Sequence, residues 1–107
     1  MKNSFDITLN QQIIYTYSKK SLPARLRRFL DEVDDSMSEE IQIDEEKVVR
    51  PTEFQKLQYV AMNLFAAVES NNKNQQEVMS AYLLNKKSDL EEIRVIENND
   101  IINLKLI

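Results

Sequence analysis

The chain of 107 residues contains no glycine, so each of its tight turns must be built from residues that carry a Cβ atom. Among those residues Asn and Asp adopt a positive φ most readily, and we therefore expect them at the turns. Three polar segments between apolar stretches fit this expectation: residues 10–12, 44–46 and 98–100. The lack of glycine also excludes glycine-rich phosphate loops and dinucleotide-binding loops, which need backbone where a Cβ would clash.

Cysteine and histidine are absent as well, which removes much of the usual catalytic and metal-binding chemistry. No thiolate nucleophile, no disulfide, no Ser-His or Cys-His arrangement and no zinc site of the usual kind can form. Chemistry based on carboxylates, lysine or tyrosine remains available. We therefore expect a protein that is not an enzyme and that needs no cofactor and no metal.

Length and composition fit one α+β domain that spans residues 1–107. Hydrophobic residues make up 42% of the chain and charged residues 30%, which is a folded composition. The first ten residues lack the apolar core of a secretory signal, and the longest apolar stretch, residues 59–68, is too short to span a membrane. We therefore expect a cytoplasmic protein that does not contact a membrane.

Hydrophobic periodicity predicts the element order ββ-α-ββ-αα-ββ. Alternating or β-branched residues indicate strand pairs within residues 4–18, 41–49 and 92–106. Helical spacing indicates helices that begin near Ser21, Thr52 and Asn74. The predicted fold is α+β, with three helices packed on a small, mostly antiparallel sheet built from short hairpins.

The second helix carries the most specific local signals. Thr52 and Gln55 have the spacing of a capping box, and Asn71 can end the helix in a left-handed conformation. Its apolar face is wide enough to predict burial as the central element, and it comprises Phe54, Leu57, Val60, Ala61, Leu64, Phe65 and Val68. The first helix carries a narrower apolar stripe that includes Phe29, Leu30 and Val33.

Charge is strongly segregated along the chain. Residues 19–28 hold five bases and no acid, whereas residues 31–46 hold half of the chain's 18 acids and no base. The first helix thus carries its charges against its macrodipole, and pairs of Arg27 with Asp31 and Arg28 with Glu32 would offset only part of that cost. The candidate protein-binding residues are the acids of this segment: Asp31, Glu32, Asp34, Asp35, Glu39, Glu40, Asp44, Glu45 and Glu46.

Two interpretations of the acidic segment stay open. It is either a solvated surface that keeps the protein soluble, or a docking surface for a basic partner protein. Both treat the acids as exposed, so that reversing Asp31, Asp34 and Asp35 to Lys would leave the fold intact. Direct binding to nucleic acid is not expected, because the acids outnumber the neighbouring bases, and Tyr15 and Tyr17 are expected to pack a sheet edge.

Three function classes follow from these observations. The leading prediction is a small non-enzymatic module or regulator that binds another protein through an acidic surface. A homo-oligomer is compatible with this prediction. The alternative is an immunity protein or antitoxin that neutralises a nuclease-type toxin. The small, acidic, cysteine-free chain resembles such proteins in general type, although it contains no motif that identifies a family. A small enzyme that uses carboxylate or lysine chemistry ranks last.

Overall fold

The computed structural model describes residues 4–18, 24–43 and 46–107, and these form an α+β fold with the predicted order of elements. The elements are β1 (Ser4–Leu9), β2 (Gln12–Ser18), α1 (Ala24–Ser36), β3 (Glu40–Ile43), β4 (Glu46–Val49), α2 (Glu53–Glu69), α3 (Lys73–Lys86), β5 (Glu92–Asn98) and β6 (Ile101–Leu106). The predicted start of α1 at Ser21 and the turn residues Asp44 and Glu45 lie outside the described residues.

The strands form two separate sheets. The first has four strands in the order β2-β1-β5-β6, with antiparallel pairs at both sides and a parallel β1–β5 pair at its centre. The second is the β3–β4 hairpin alone. The three predicted hairpins are therefore present, but only the first and last join in one sheet, through a parallel pairing that the periodicity of the sequence does not reveal.

The glycine-free turns are built from residues with positive φ, as predicted. Asn10 and Gln11 join β1 to β2 with φ values of 49° and 72°, and Asn99 and Asp100 join β5 to β6 with 51° and 67°. Positive φ at both central residues is typical of the two-residue hairpin turns that match strand twist. The Asn10 side-chain oxygen also accepts a hydrogen bond from the Glu97 N–H at 3.0 Å, which ties the first turn to β5.

The helix boundaries confirm the capping box and correct one N-cap. Thr52 accepts from the Gln55 N–H at 3.2 Å while the Gln55 side chain accepts from the Thr52 N–H at 2.8 Å. Asn71, with a φ of 59°, follows the end of α2. The N-cap of α3 is Asn72, whose side chain accepts from the Gln75 N–H, and not Asn74. Only three residues, Ser70, Asn71 and Asn72, connect α2 to α3.

One core lies between the helices and one face of the four-stranded sheet. The central helix α2 supplies its middle, with Ala61 and Leu64 fully buried. The other buried apolar residues come from all layers: Phe5, Ile7, Tyr17, Leu30, Met37, Ile41, Leu57, Val60, Phe65, Ala81, Tyr82, Leu83, Leu84, Leu90, Ile93 and Val95. One expected core residue, Phe54, is 63% exposed, because it lies in the first turn of α2 beside an open groove.

Truncating Leu64 tests the central position of α2. Because Leu64 is fully buried, Leu64→Ala should lower the free energy of unfolding by about 2–5 kcal/mol through lost burial and a residual cavity. Phe54→Ala is the matched control on the same helix, and we expect a change below about 1 kcal/mol because its side chain is mostly exposed. Chemical denaturation of both variants measures the difference. Equal losses would contradict the assigned core.

Candidate protein-binding site

The acidic segment is anchored to the core by its apolar residues. Met37 follows α1 and is 4% exposed, and Ile41 in β3 is 5% exposed. The exposed acids lie before, between and after these two anchors: Asp31, Glu32, Asp35, Glu39, Glu40 and Glu46. We call these six residues the acidic face. Asp44 and Glu45, two more of the predicted site residues, lie outside the described residues.

The α1 part of the acidic face is a compact group of carboxylates. Asp35 lies four residues after Asp31 and three after Glu32, so the three side chains share one side of the helix. The last turn of α1 contains no base, so the negative end of the helix macrodipole adds to the potential of these carboxylates. The expected pairs of Arg27 with Asp31 and Arg28 with Glu32 are not among the ion pairs of the described residues.

The hairpin part of the acidic face is partly neutralised. Glu40 in β3 forms an ion pair of 3.4 Å with Lys47 in β4, and both side chains are at least half exposed. The Arg50 N–H donates to the Glu39 carbonyl at 2.9 Å, which closes the base of the hairpin. The uncompensated charge of the acidic face therefore lies mainly on α1.

Asp34 departs from the exposure expected for the segment. Its carboxylate accepts a hydrogen bond from the Tyr82 hydroxyl at 2.7 Å and lies 3.5 Å from the Lys56 Nζ and 3.9 Å from the Lys86 Nζ. Its side chain is 22% exposed, Tyr82 is fully buried and Lys56 is 9% exposed. These four residues, the Asp34 cluster, join α1, α2 and α3, so Asp34 serves packing where the sequence suggested an exposed surface charge.

The electrostatics of the Asp34 cluster hold the pKa values of Asp34 and Tyr82 on opposite sides of neutral pH. The hydrogen bond from Tyr82 lowers the pKa of Asp34, with help from Lys86 and Lys56 and against the effect of burial. Burial, followed by the hydrogen bond to Asp34, raises the pKa of Tyr82. Asp34 is therefore ionised and Tyr82 neutral near pH 7, which preserves the short hydrogen bond between them.

An apolar groove borders the acidic face, and the sequence did not predict it. The groove has a volume of about 300 Å³ and is lined by Phe29, Val33, Asn74, Gln75, Val78 and Met79. We call it the Phe29 groove. Phe29 was expected to face the core but is 45% exposed, because it lines this open groove between α1 and α3 and does not lie beneath a neighbouring helix. Glu32 follows Phe29 by about one helical turn and directly precedes Val33, so the acidic face begins beside the α1 side of the groove.

The two tyrosines of β2 have structural roles, as expected. Tyr17 is 5% exposed and packs against Phe5 with ring centroids 5.9 Å apart. The Tyr15 hydroxyl lies 3.0 Å from the buried Ser80 hydroxyl, which ties β2 to α3. Burial raises the pKa of both tyrosines, so they stay neutral.

Comparisons with protein-family models, curated proteins and solved structures found no match to this chain. Among the described residues, no three carboxylates converge closely enough to hold a metal ion. No helix in the described part of the chain combines the length and apolar character needed to cross a membrane. The acidic face and the Phe29 groove together form the candidate protein-binding site.

Acidification tests the role of Asp34. Because the folded pKa of Asp34 lies below its ordinary 3.8, its ionised form stabilises the fold above that pH, and this stabilisation is lost as the pH falls through the folded pKa. Asp34→Asn should lower the free energy of unfolding at pH 7 by about 1–3 kcal/mol and flatten its decline in acid. Denaturation from pH 7 to pH 2 measures both.

The matched control is Asp35→Asn, one residue along α1 and exposed. It should change stability at pH 7 by less than about 0.5 kcal/mol and leave the acid decline unchanged. Comparing variants isolates Asp34, since Arg94 and Thr8 also lower the pKa of Glu92. Indistinguishable pH profiles for the two variants would show that the Asp34 cluster does not support the fold.

Proposed function

We propose that this protein is a non-enzymatic module that binds a basic partner protein through the acidic face and the Phe29 groove. The observation that carries the proposal is their placement on the same helix: an exposed Phe29 of α1 lines an apolar groove, and Glu32, one helical turn further on, begins the group of exposed carboxylates that includes Asp31 and Asp35. The partner segment that fits carries Lys or Arg beside one bulky apolar side chain. We assign this function to the cytoplasm, with no direct contact to nucleic acid.

The two parts of the site have different physical tasks. Exposed like charges on one face raise the rate at which an oppositely charged partner arrives, and salt screens this effect. An apolar side chain buried in a groove contributes mainly by slowing dissociation, because it removes apolar surface from water. An acidic surface without a groove would bind any polycation weakly, so the groove is what supports a specific partner.

The most buried group of potentially catalytic side chains among the described residues is engaged internally. Asp34, Lys56 and Tyr82 are the carboxylate, amine and phenol that the fold brings together, and Tyr82 is fully buried. A catalytic group must reach a substrate, whereas the Asp34 carboxylate and the Tyr82 hydroxyl are hydrogen-bonded to each other. This arrangement supports a binding function over an enzymatic one.

A narrower form of the proposal is an immunity protein or antitoxin. A nuclease presents a basic surface to the phosphates of its substrate, and an acidic face can occupy that surface in place of nucleic acid. The exposed carboxylates Asp31, Glu32 and Asp35 on α1 favour this form, because the described residues supply no ion-pair partner for them. It requires that the bound partner loses its nucleic-acid affinity and its nuclease activity.

Peptide selection provides the direct test. A random peptide library is selected against the intact chain, and the enriched peptides are synthesised as defined probes. We expect enrichment of Lys or Arg around one bulky apolar residue, and amide chemical-shift changes confined to α1, α3 and the β3–β4 hairpin. Enrichment without basic residues, or shift changes centred elsewhere, would overturn the proposal.

Charge reversal tests the acidic face. Replacing Asp31, Glu32 and Asp35 by Lys should leave the fold intact. These side chains are exposed, and basic side chains are favourable near the C-terminal end of a helix. The association rate of a selected peptide should fall about tenfold or more at low salt, with the loss shrinking as ionic strength rises. Stopped-flow measurements across a salt series give the rates.

The matched control reverses three exposed acids elsewhere, at Glu69, Glu91 and Glu97. It changes the net charge by the same amount but lies outside the acidic face. At about 0.1 M salt we expect a much smaller loss of association rate, because charges farther from the bound peptide than the Debye length of about 10 Å are screened. Equal losses in both triple variants would mean that net charge alone governs association, against a localised docking face.

Truncation of Phe29 tests the groove. Phe29→Ala should speed dissociation of a selected peptide by about tenfold or more while changing its association rate little, because the lost contact is apolar. Phe54→Ala is the control, since Phe54 is another exposed phenylalanine and lines a different groove. Unchanged dissociation in Phe29→Ala, or an equal effect in the control, would remove the Phe29 groove from the site.

A further inference from the structure

The four-stranded sheet has two outer strands, and they differ in how well they are protected. The register of β2 against β1 is interrupted between Ile7 and Thr8, where Ile14 is left as an extra residue. Such a bulge bends a strand and discourages pairing with another chain. The register of β6 against β5 runs without interruption from Ile93–Leu106 to Asn98–Ile101. Only β6 is therefore a regular outer strand.

The ladder fixes which backbone groups of β6 face outward. Glu92 and Ile107 exchange both of their hydrogen bonds, at 3.1 Å and 2.8 Å, so the backbone of Ile107 faces β5. In an antiparallel ladder alternate residues face the neighbouring strand, so Lys105, Asn103 and Ile101 face β5 as well. The N–H and C=O groups that face outward belong to Ile102, Leu104 and Leu106, and no strand among the described residues pairs with them.

The side chains of the same three residues form an apolar row. Side chains separated by two positions lie on one face of a strand, so Ile102, Leu104 and Leu106 share the face that packs toward the helices. Ile102 is 49% exposed, and Leu104 and Leu106 are half-buried. Leu106 also lines a groove with the exposed Phe54. The helices therefore leave part of the sheet's apolar face uncovered along this edge.

We propose that β6 pairs with β6 of a second copy of this chain, antiparallel and about a two-fold axis at Leu104. Leu104 then lies opposite Leu104 of the second copy, and Ile102 opposite Leu106. All outward N–H and C=O groups of the three residues find partners, since each of these opposed pairs exchanges two hydrogen bonds. The two sheets, with four strands each, become one continuous sheet.

Charge selects this register over its neighbours. With Leu104 on the axis, Lys105 lies opposite Asn103, and apolar residues face one another along the helix side. Moving the axis to Lys105 would place the two lysines directly opposite each other, which is destabilising. Moving it to Asn103 would leave Leu106 without a partner within the strand. The strand is thus self-complementary in one register.

Sedimentation of the full chain tests the proposal. Between about 1 μM and about 500 μM, a range suited to the modest affinity of a small interface, we expect a reversible monomer–dimer equilibrium. Ile102→Lys should weaken the dimer at least about tenfold. The substitution is present in both copies, and in each case it places a charged side chain opposite Leu106. The matched control is Ile13→Lys on the opposite edge, where Ile13 is 60% exposed, and it should dimerise as the wild type does.

Cross-linking tests the register itself and does not depend on the Ile102→Lys variant folding. The chain has no cysteine, so Leu104→Cys introduces a single thiol. Directly opposed residues of a hydrogen-bonded pair have Cα atoms about 5.5 Å apart, within disulfide range. Mild oxidation should link Leu104→Cys into covalent dimers and leave Ile13→Cys largely monomeric.

Two results would overturn the proposed dimer. One is a monomer at every concentration, and the other is a dimer whose stability and cross-linking respond equally at positions 13 and 104. Neither result bears on the acidic face, because peptide binding is measured separately and at concentrations where the monomer prevails. The two proposals can therefore fail independently.

Discussion

The parallel pairing of β1 with β5 is the constraint on which the rest of the structure depends. It joins residues Asp6–Leu9 to Glu92–Val95, and the hydrogen bond between Thr8 and Glu92 spans 84 positions of the chain. Everything between the two strands, including all three helices, lies inside this closure. The core forms only when it closes, because Ile7, Ile93 and Val95 form the floor on which α2 and α3 pack. Such non-local pairing costs chain entropy that local hairpins and helices cannot recover alone.

The sequence predicts what is local and misses what is distant. The capping box at Thr52 and the Asn turns were predictable because their partners lie within three residues. Asp34 was not, since its partners Lys56 and Tyr82 are 22 and 48 positions away. The exposure of Phe29 and Phe54 was not predictable from periodicity either. An apolar stripe shows which face of a helix points inward, but not how much of that face the neighbouring helix or strand covers. The nine acids of the segment stay a predicted binding site, and the division of the seven described ones into one partly buried charge and six surface charges needed the fold.

The Asp34 cluster explains how α1 tolerates charges that oppose its macrodipole. A negative group near a helix C-terminus is unfavourable, typically by about 0.3–1 kcal/mol. For Asp34 that cost is offset by Tyr82, Lys56 and Lys86, which reach it from the two neighbouring helices. Asp31, Glu32 and Asp35 receive no such compensation from the described residues, although α1 has room for bases in its last turn. These unfavourable charges at the end of α1 are retained beside an apolar groove. Their retention supports selection for contact with a partner over selection for solubility alone.

The two proposed surfaces lie on different sides of the sheet's helical layer. Tyr15 ties α3 to β2, so the Phe29 groove lies toward that edge, whereas α2 contacts β6 at the other. Pairing through β6 would therefore leave both acidic faces free in a dimer. Two equivalent acidic faces on one continuous sheet would bind two repeats of the same partner. The spacing of the faces would set the effective concentration for the second binding event. A modest affinity at each groove would then suffice for stable capture, which reconciles a small groove of about 300 Å³ with a specific binding function.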